Sequence, residues 1–347
     1  MNDKRDLRVL VTGASGFLGG NILRALRGQS QITPITPIAA CRDKSKIDPD
    51  FKGEIRVGDL TDPNYRRALC QNVDVMCHAG GWASMWNHTE IERTHFFEPT
   101  RDLIESAIAG GVQRFIMPNT VSIAAKVKDG HPFDDFAPTQ HTGYWPHLDR
   151  LIDIDNHMRV NSTRGMTMVT LRLGHFLGAG NRLGLVPALT PRLRTYLVPW
   201  LAGGKKHLPL VADTDMGQAF YKACIAEDLD DYESFNICGS ESPTLREVVN
   251  FIADETGFPK PLYSVPYPAG YAFGWLMEKL YPVMPGYPFL TRSIVHLCEE
   301  WVCPNDYATR KLGYVPEKPW RSAIREHLAD IKAQGYPWPR LCQRVWG

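Results

Sequence analysis

Val9-Leu10-Val11-Thr12-Gly13-Ala14-Ser15-Gly16-Phe17-Leu18-Gly19-Gly20 runs from an apolar strand into glycines at every third position, then into helical spacing at Leu18, Ile22, Leu23 and Leu26. The pattern reads as a dinucleotide site. A buried strand ends at Val11, and Gly13, Gly16 and Gly19 let the chain turn tightly, approach a pyrophosphate without a Cβ and seat a helix against the sheet. The first amides of that helix then face the phosphates.

Short apolar runs alternate with helical patterns on the way to residue 178: Val9 to Val11, Ile35 to Cys41, Ile55 to Val57, Val73 to Cys77, Arg114 to Met117 and Met166 to Leu171. That rhythm implies an α/β fold, a doubly wound parallel sheet covered by helices on both faces. After Gly180 prolines and aromatics become frequent, and helical patterns around Leu245 to Thr256 and Pro288 to Trp301 replace the alternation. A strand-like run, Phe235 to Cys238, lies between them. The reading is therefore a dinucleotide-binding domain over 1–178 to which 206–240 returns, and a smaller interleaved substrate lobe over 179–205 and 241–347. Thr244 and Glu247 have capping-box spacing at that boundary.

The chain of 347 residues is 44% hydrophobic, enough for a sizeable core, and its formal net charge of +1 offers no general attraction to nucleic acid or an anionic membrane. The eight cysteines lack paired CxxC spacing, which points to reduced thiols and no metal. The charged start, Met1 to Asp6, leads straight into a strand and lacks the apolar core of a secretion signal, so the cytoplasm is the expected compartment. Tyr267 to Leu280 is apolar but broken by Pro268, Gly270, Gly274, Glu278 and Lys279, and reads as an amphipathic helix, not a transmembrane segment.

Several further motifs coincide: Gly58-Asp59-Leu60, Val75-Met76-Cys77-His78-Ala79-Gly80, Gly111 to Ile116, Leu171-Arg172-Leu173-Gly174-His175-Phe176-Leu177-Gly178, Val211 to Asp215 and Lys311 to Pro316. With the glycine turn, they make the chain resemble the extended short-chain dehydrogenase/reductases, nearest the 3β-hydroxysteroid dehydrogenase and 3-oxoalkanoate reductase branch. The resemblance implies a Rossmann domain and NAD(P)-dependent chemistry. It assigns cofactor contacts to Gly13, Ser15, Gly16, Phe17, Leu18, Gly19 and Leu173, adenine contacts to Asp59 and Leu60, and room beside the ribose and nicotinamide to Ala79 and Gly80. Asp59 also reads as a turn residue bonding its own backbone.

In folds of this type an acidic residue ending the second strand takes the ribose 2′-hydroxyl, whereas an arginine there accommodates a 2′-phosphate. The run ends Ala40-Cys41-Arg42-Asp43-Lys44, so Arg42 points to NADP, and the adjacent Asp43 keeps NAD open.

By the same resemblance, a Ser or Thr after the fifth strand joins a Tyr and a Lys four residues on. Thr120 aligns with the hydroxyl, with Ser122 as the alternative. The second half of the pattern fails. Tyr144 is followed by Leu148 where the lysine should stand, and aligning Asp153 or Asp155 with a later acidic position puts Trp145 or His147 in the tyrosine slot. Tyr144 is one proton donor to weigh and His147 the other, with Arg150 as a source of the missing charge.

The aromatic-rich second lobe, and the branch resembled, point to reduction of a ketone, or oxidation of an alcohol, on a lipophilic small molecule such as a sterol-like or 3-oxoacyl compound. A homodimer is compatible with this reading. Two rivals stand beside it. A nucleotide-sugar epimerase or dehydratase would share the scaffold and use Arg192, Arg194, Lys205 and Lys206 on a sugar diphosphate. A catalytically degenerate regulator would bind the dinucleotide and do nothing more.

Overall fold

The structure, a computed structural model, describes residues 6–29, 34–125, 133–284 and 286–343. The reading of the charged start over Met1 to Arg5 lies outside the described residues.

The six apolar runs become β1 (Leu7–Thr12), β2 (Ile35–Cys41), β3 (Glu54–Val57), β4 (Val75–His78), β5 (Arg114–Thr120) and β6 (Thr167–Leu173). Two short strands, β7 (His175–Leu177) and β9 (Leu210–Ala212), pair with each other, as do β8 (Trp200–Leu201) and β11 (Ser264–Val265). The strand-like run after residue 230 is β10 (Tyr232–Ile237), which completes a seven-stranded sheet in the order β3-β2-β1-β4-β5-β6-β10. All its neighbours are parallel.

The helices are α1 (Phe17–Gln29), α2 (Pro63–Leu69), α3 (Thr89–Glu92), α4 (Glu98–Ala109), α5 (Pro146–Asn161), α6 (Leu185–Leu193), α7 (Asp213–Ile225), α8 (Leu245–Thr256), α9 (Tyr267–Leu280), α10 (Arg292–Leu297), α11 (Asp306–Leu312) and α12 (Trp320–Ala333). A π turn, Arg93–Phe97, joins α3 to α4.

Successive residues of β1 explain why its sequence is apolar throughout. Val9 and Val11 pack under α1, α7 and α11, while Leu10 packs on the opposite face with Leu69, Leu103, Leu148 and Ile152 of α2, α4 and α5. Both faces of each strand are covered. A separate core is built from α6, α8, α10 and α12, around Val186, Val248, Val295 and Ile324. The capping box of α8 forms as read, with the Thr244 hydroxyl accepting the Glu247 amide. The pattern read over Pro288 to Trp301 shortens to α10, because prolines disfavour helix before Thr291 and Cys298 already ends it.

β1 and β4 are adjacent although not consecutive, so the sheet reverses its winding between them. Ligands of open α/β sheets bind outside the carboxyl ends of the strands at such a point. The register sets Thr12 beside His78, and Thr120 beside Leu173, which lines up the ends of β1, β4, β5 and β6 along one edge.

Helix α5 is tied to that sheet by a buried carboxylate. Thr170 of β6 and Tyr232 of β10 each donate to Asp155 Oδ1 at 2.7 Å, and the Arg172 guanidinium lies 3.9 Å from Oδ2. Asp155 and Arg172 are both 1% exposed. Removing one partner of a buried pair leaves the other charge uncompensated, so Asp155→Ala should lower unfolding stability by about 3–5 kcal/mol. Urea denaturation measures this, and a loss under about 1 kcal/mol would show that the pair does not hold α5.

Among the described residues no helix is long and apolar enough to cross a membrane. The run Tyr267 to Leu280 is helical, as α9, but it does not divide as an amphipathic helix would: it buries Gly270, Gly274, Met277 and Glu278 and exposes Phe273, Trp275 and Leu276. All eight cysteines are unpaired and buried.

Candidate active site

A cleft of about 480 Å³ runs along the carboxyl ends of β1, β4 and β5. Its floor at one end is the glycine turn. Gly13 has φ +63°, and a Cβ there would lie 2.6 Å from the Ala79 carbonyl oxygen and from Gly80 Cα. Gly19 packs just as closely: a Cβ would lie 2.2 Å from the Gly13 carbonyl oxygen. The two glycines thus bring α1, the turn and the end of β4 into backbone contact. α1 opens into the cleft through Ser15, Gly16, Phe17 and Leu18, and no acidic residue stands in its first turn to compete with a phosphate.

This cradle fits a dinucleotide. The Gly80 amide donates to Thr12 Oγ1 at 3.0 Å, and the same hydroxyl lies 2.8 Å from His78 Nδ1, whose Nε2 reaches Thr100 Oγ1 at 3.0 Å. Burial lowers the His78 pKa to about 4, so at neutral pH it is an uncharged link that fixes the crossing of β1 and β4.

Arg42, Asp59 and Leu60 border the same end of the cleft, as do Ala79 and Gly80. The Asp59 carboxylate accepts the amide and the hydroxyl of Thr61, each at 2.9 Å, so it also serves its own turn. Asp43 does not border the cleft; its carboxylate accepts the Ser45 amide and hydroxyl. Two residues assigned to the cofactor do not reach the cleft. Gly19 acts by packing beneath the turn, and Leu173 is fully buried in the core with Val169 and Leu171. Gly174, His175 and Phe176, one to three residues on, take the bordering position because β6 ends at Leu173.

At the other end, Thr120 borders the cleft and Ser122 does not. The Thr120 hydroxyl oxygen accepts the Ser122 amide at 3.3 Å, which leaves its O–H free to donate, while Ser122 is 1% exposed.

Helix α5 sets which of these side chains border the cleft. It begins at Pro146, so Tyr144 precedes it, and the cleft-bordering residues one turn apart are His147 and Leu151. The Tyr144 hydroxyl points elsewhere, 3.4 Å from both Tyr271 Oη and His296 Nδ1, with the Arg292 guanidinium 4.6 Å from its ring centroid. Burial raises its pKa, against a smaller lowering by the Tyr271 bond. Nor does Arg150 supply charge: it pairs with Asp153 at 2.8 Å away from the cleft.

His147 Nδ1 lies 3.0 Å from Glu92 Oε2, and the Ser84 hydroxyl donates to Glu92 Oε1 at 2.8 Å. Glu92 is fully buried. Sequence reasoning missed Glu92, Ser84 and Leu151. The positions of Asp155 and Pro146 could have identified Leu151, whereas nothing local marks Glu92.

A model of the NAD dependent epimerase/dehydratase family matches residues 9–238, well over half of the chain. The chain belongs to this family. It is 25% identical to a 2-alkyl-3-oxoalkanoate reductase of Stenotrophomonas maltophilia, over 94% of this chain and 99% of that one. It is 22% identical to the 4-hydroxy-2-methyl-3-oxo-4-farnesyl-3,4-dihydroquinoline-1-oxide ketoreductase of Stigmatella aurantiaca, over 89% and 92% of the two chains. The fold matches that of Thermus thermophilus UDP-glucose 4-epimerase, solved with NAD, at a TM-score of 0.69 and 18% identity, covering 94% of this chain and 99% of that one. The chain is thus an NAD(P)-dependent enzyme of the short-chain dehydrogenase/reductase type, with the family's parallel sheet and glycine turn.

Proposed function

We propose that the protein reduces a ketone on a lipophilic small molecule, with NADPH as the hydride source. The observation that carries this reading is one cleft with a phosphate cradle at one end and, at the other, the Thr120 hydroxyl and the His147 imidazole among walls that include Trp82, Met85, Phe96 and Leu183. A dihydronicotinamide held along it supplies the hydride. Thr120 donates a hydrogen bond to the carbonyl oxygen, and His147 is the proton source for the alkoxide that develops there. The names of the two relatives quoted above, both reductases, support the same chemistry.

The sugar-diphosphate rival needs cations at the substrate end. Among the described residues that border the cleft, Arg42 is the only Arg or Lys, and it sits at the dinucleotide end. Arg192 is buried and bonded to the carbonyls of Phe289 and Ala188, and Lys206 pairs with Glu300. The test is NADPH consumption against 3-oxo esters of increasing alkyl length, run beside UDP-glucose epimerisation. Turnover of the ketones alone is expected; turnover of the sugar nucleotide alone would overturn the reading.

For the cofactor, Arg42 faces the cleft while the Asp43 carboxylate is turned onto Ser45. A charge-assisted hydrogen bond to the 2′-phosphate is worth about 1.5–3 kcal/mol, so Arg42→Ala should weaken NADPH binding by about 10- to 100-fold and leave NADH within about twofold. Fluorescence titration decides, and tighter NADH than NADPH binding by the unaltered protein would refute the NADP preference.

A further inference from the structure

We propose that Glu92 is a positioning residue that fixes His147 with its proton on Nδ1 and Nε2 turned to the substrate, so that a carboxylate–imidazole pair does the work of the family's tyrosine–lysine couple. The inference rests on the ketone-reductase reading of the cleft.

An ionised carboxylate only accepts hydrogen bonds. Glu92 receives two, from the Ser84 hydroxyl and from His147, so Nδ1 must carry the hydrogen. Nε2 is then the atom left for the cleft, which His147 borders. A carboxylate with no exposed surface is costly unless a partner shares its charge. His147 is the titratable group bonded to it, and His88 also approaches it.

The other cleft histidines lack this arrangement. His78 and His175 are buried, with pKa values lowered to about 4, and His175 Nε2 donates to the Leu297 carbonyl at 3.1 Å. His95 Nδ1 lies 2.9 Å from the Thr94 hydroxyl and not against a carboxylate. Against His147 lie Glu92 and the ring of Phe96 at 5.0 Å, and Arg150 on its own helix is paired with Asp153.

The backbone that delivers Glu92 is strained. Asn87 and His88 both have positive φ, 58° and 61°, immediately before α3, and a π turn follows it. A left-handed non-glycine residue costs about 1–2 kcal/mol, and two in succession persist only where the surroundings impose them. Ser84 is itself held, because its carbonyl accepts the Trp145 indole N–H at 2.7 Å. Trp145 directly precedes α5, so the segments that carry Glu92 and His147 are fastened to each other on two sides.

Leu151, where the lysine of the couple would lie, leaves no cation to hold a tyrosinate. The pair needs none. The acid form of His147 is the imidazolium, with hydrogen on both ring nitrogens and Nδ1–H held by the Glu92 carboxylate. As the carbonyl carbon accepts its hydride, the Nε2–H bond of this imidazolium breaks and an O–H bond forms on the carbonyl oxygen, leaving the neutral imidazole with its proton on Nδ1. The imidazole keeps the electron pair and later takes a proton from solvent. The ketone is reduced to a secondary alcohol, and the two electrons are those of the hydride.

The test begins with the cofactor-free protein, in which long-range ¹H–¹⁵N correlation shows which nitrogen of neutral His147 is protonated. Nδ1–H is expected. Glu92→Gln, whose amide can offer either N–H or C=O, should give a mixture of tautomers and lower kcat by at least about tenfold, with the ketone KM and the NADPH Kd within about twofold. Nε2–H in the unaltered protein would overturn the proposal, as would an unchanged kcat in a Glu92→Gln protein that melts normally. Nδ1–H in a protein that reduces no ketone would leave the positioning intact and remove the reductase reading instead.

Discussion

Replacing His147 with alanine is expected to cut ketone reduction by about two to four orders of magnitude, the range a positioned general acid contributes, while NADPH binds as before. The imidazole borders the cleft, bonds a buried carboxylate and packs on the Phe96 ring, and none of these is part of the glycine turn. The loss should therefore fall on kcat and leave the dinucleotide Kd within about twofold. Tyr144→Phe is the matched control. Its hydroxyl lies 3.4 Å from Tyr271 and His296 and does not border the cleft, so turnover should stay within about threefold of the unaltered rate. Stopped-flow measurement of NADPH oxidation with both variants separates the assignments: loss with Tyr144→Phe and retention with His147→Ala would reverse them.

Gly13→Val should abolish dinucleotide binding. A β-branched residue at φ +63° is strained by about 1–3 kcal/mol, and its Cβ would meet the Ala79 carbonyl and Gly80 Cα at 2.6 Å. Those atoms belong to the backbone and cannot turn aside like a flexible side chain. The turn must lift from the end of β4, which moves the α1 amides away from the phosphates. An increase in Kd of at least about a hundredfold is expected, equivalent to about 3 kcal/mol. Gly111→Ala gives the contrast, since a Cβ there meets nothing within 4 Å and its strain at φ +76° lies far from the cleft. Isothermal titration with NADPH measures both; unchanged affinity in Gly13→Val would mean that this turn is not the phosphate cradle.

The glycine turn, the six strand runs of the first half and the return of the chain at Phe235 are visible in the sequence because each is a local pattern. A strand buried on both faces must be apolar throughout, and a helix packed on it must repeat every three or four residues. The proposed proton donor is not legible in that way. Tyr144 and His147 are three residues apart, and the choice between them depends on where α5 starts. Pro146 at its first turn marks that start, and Asp155, tied to Thr170 and Tyr232, fixes the helix rotation. Glu92 is harder still. It lies 55 residues from His147, and a pair of left-handed residues that no sequence pattern announces brings it there. Leu173 differs in kind: the motif that carried its assignment ends a buried strand, and Gly174, one residue on, is the one that borders the cleft.

The central claim is that one cleft holds the dinucleotide and reduces a ketone with His147 as the proton donor. Single-turnover reduction of an alkyl 3-oxo ester with NADPH deuterated at nicotinamide C4 tests it most directly. The account predicts an alcohol carrying deuterium on the carbinol carbon, formed at least about a hundredfold more slowly by His147→Ala than by the unaltered protein at saturating NADPH. Equal rates in the two proteins, or no labelled alcohol from a protein that binds NADPH, would contradict it.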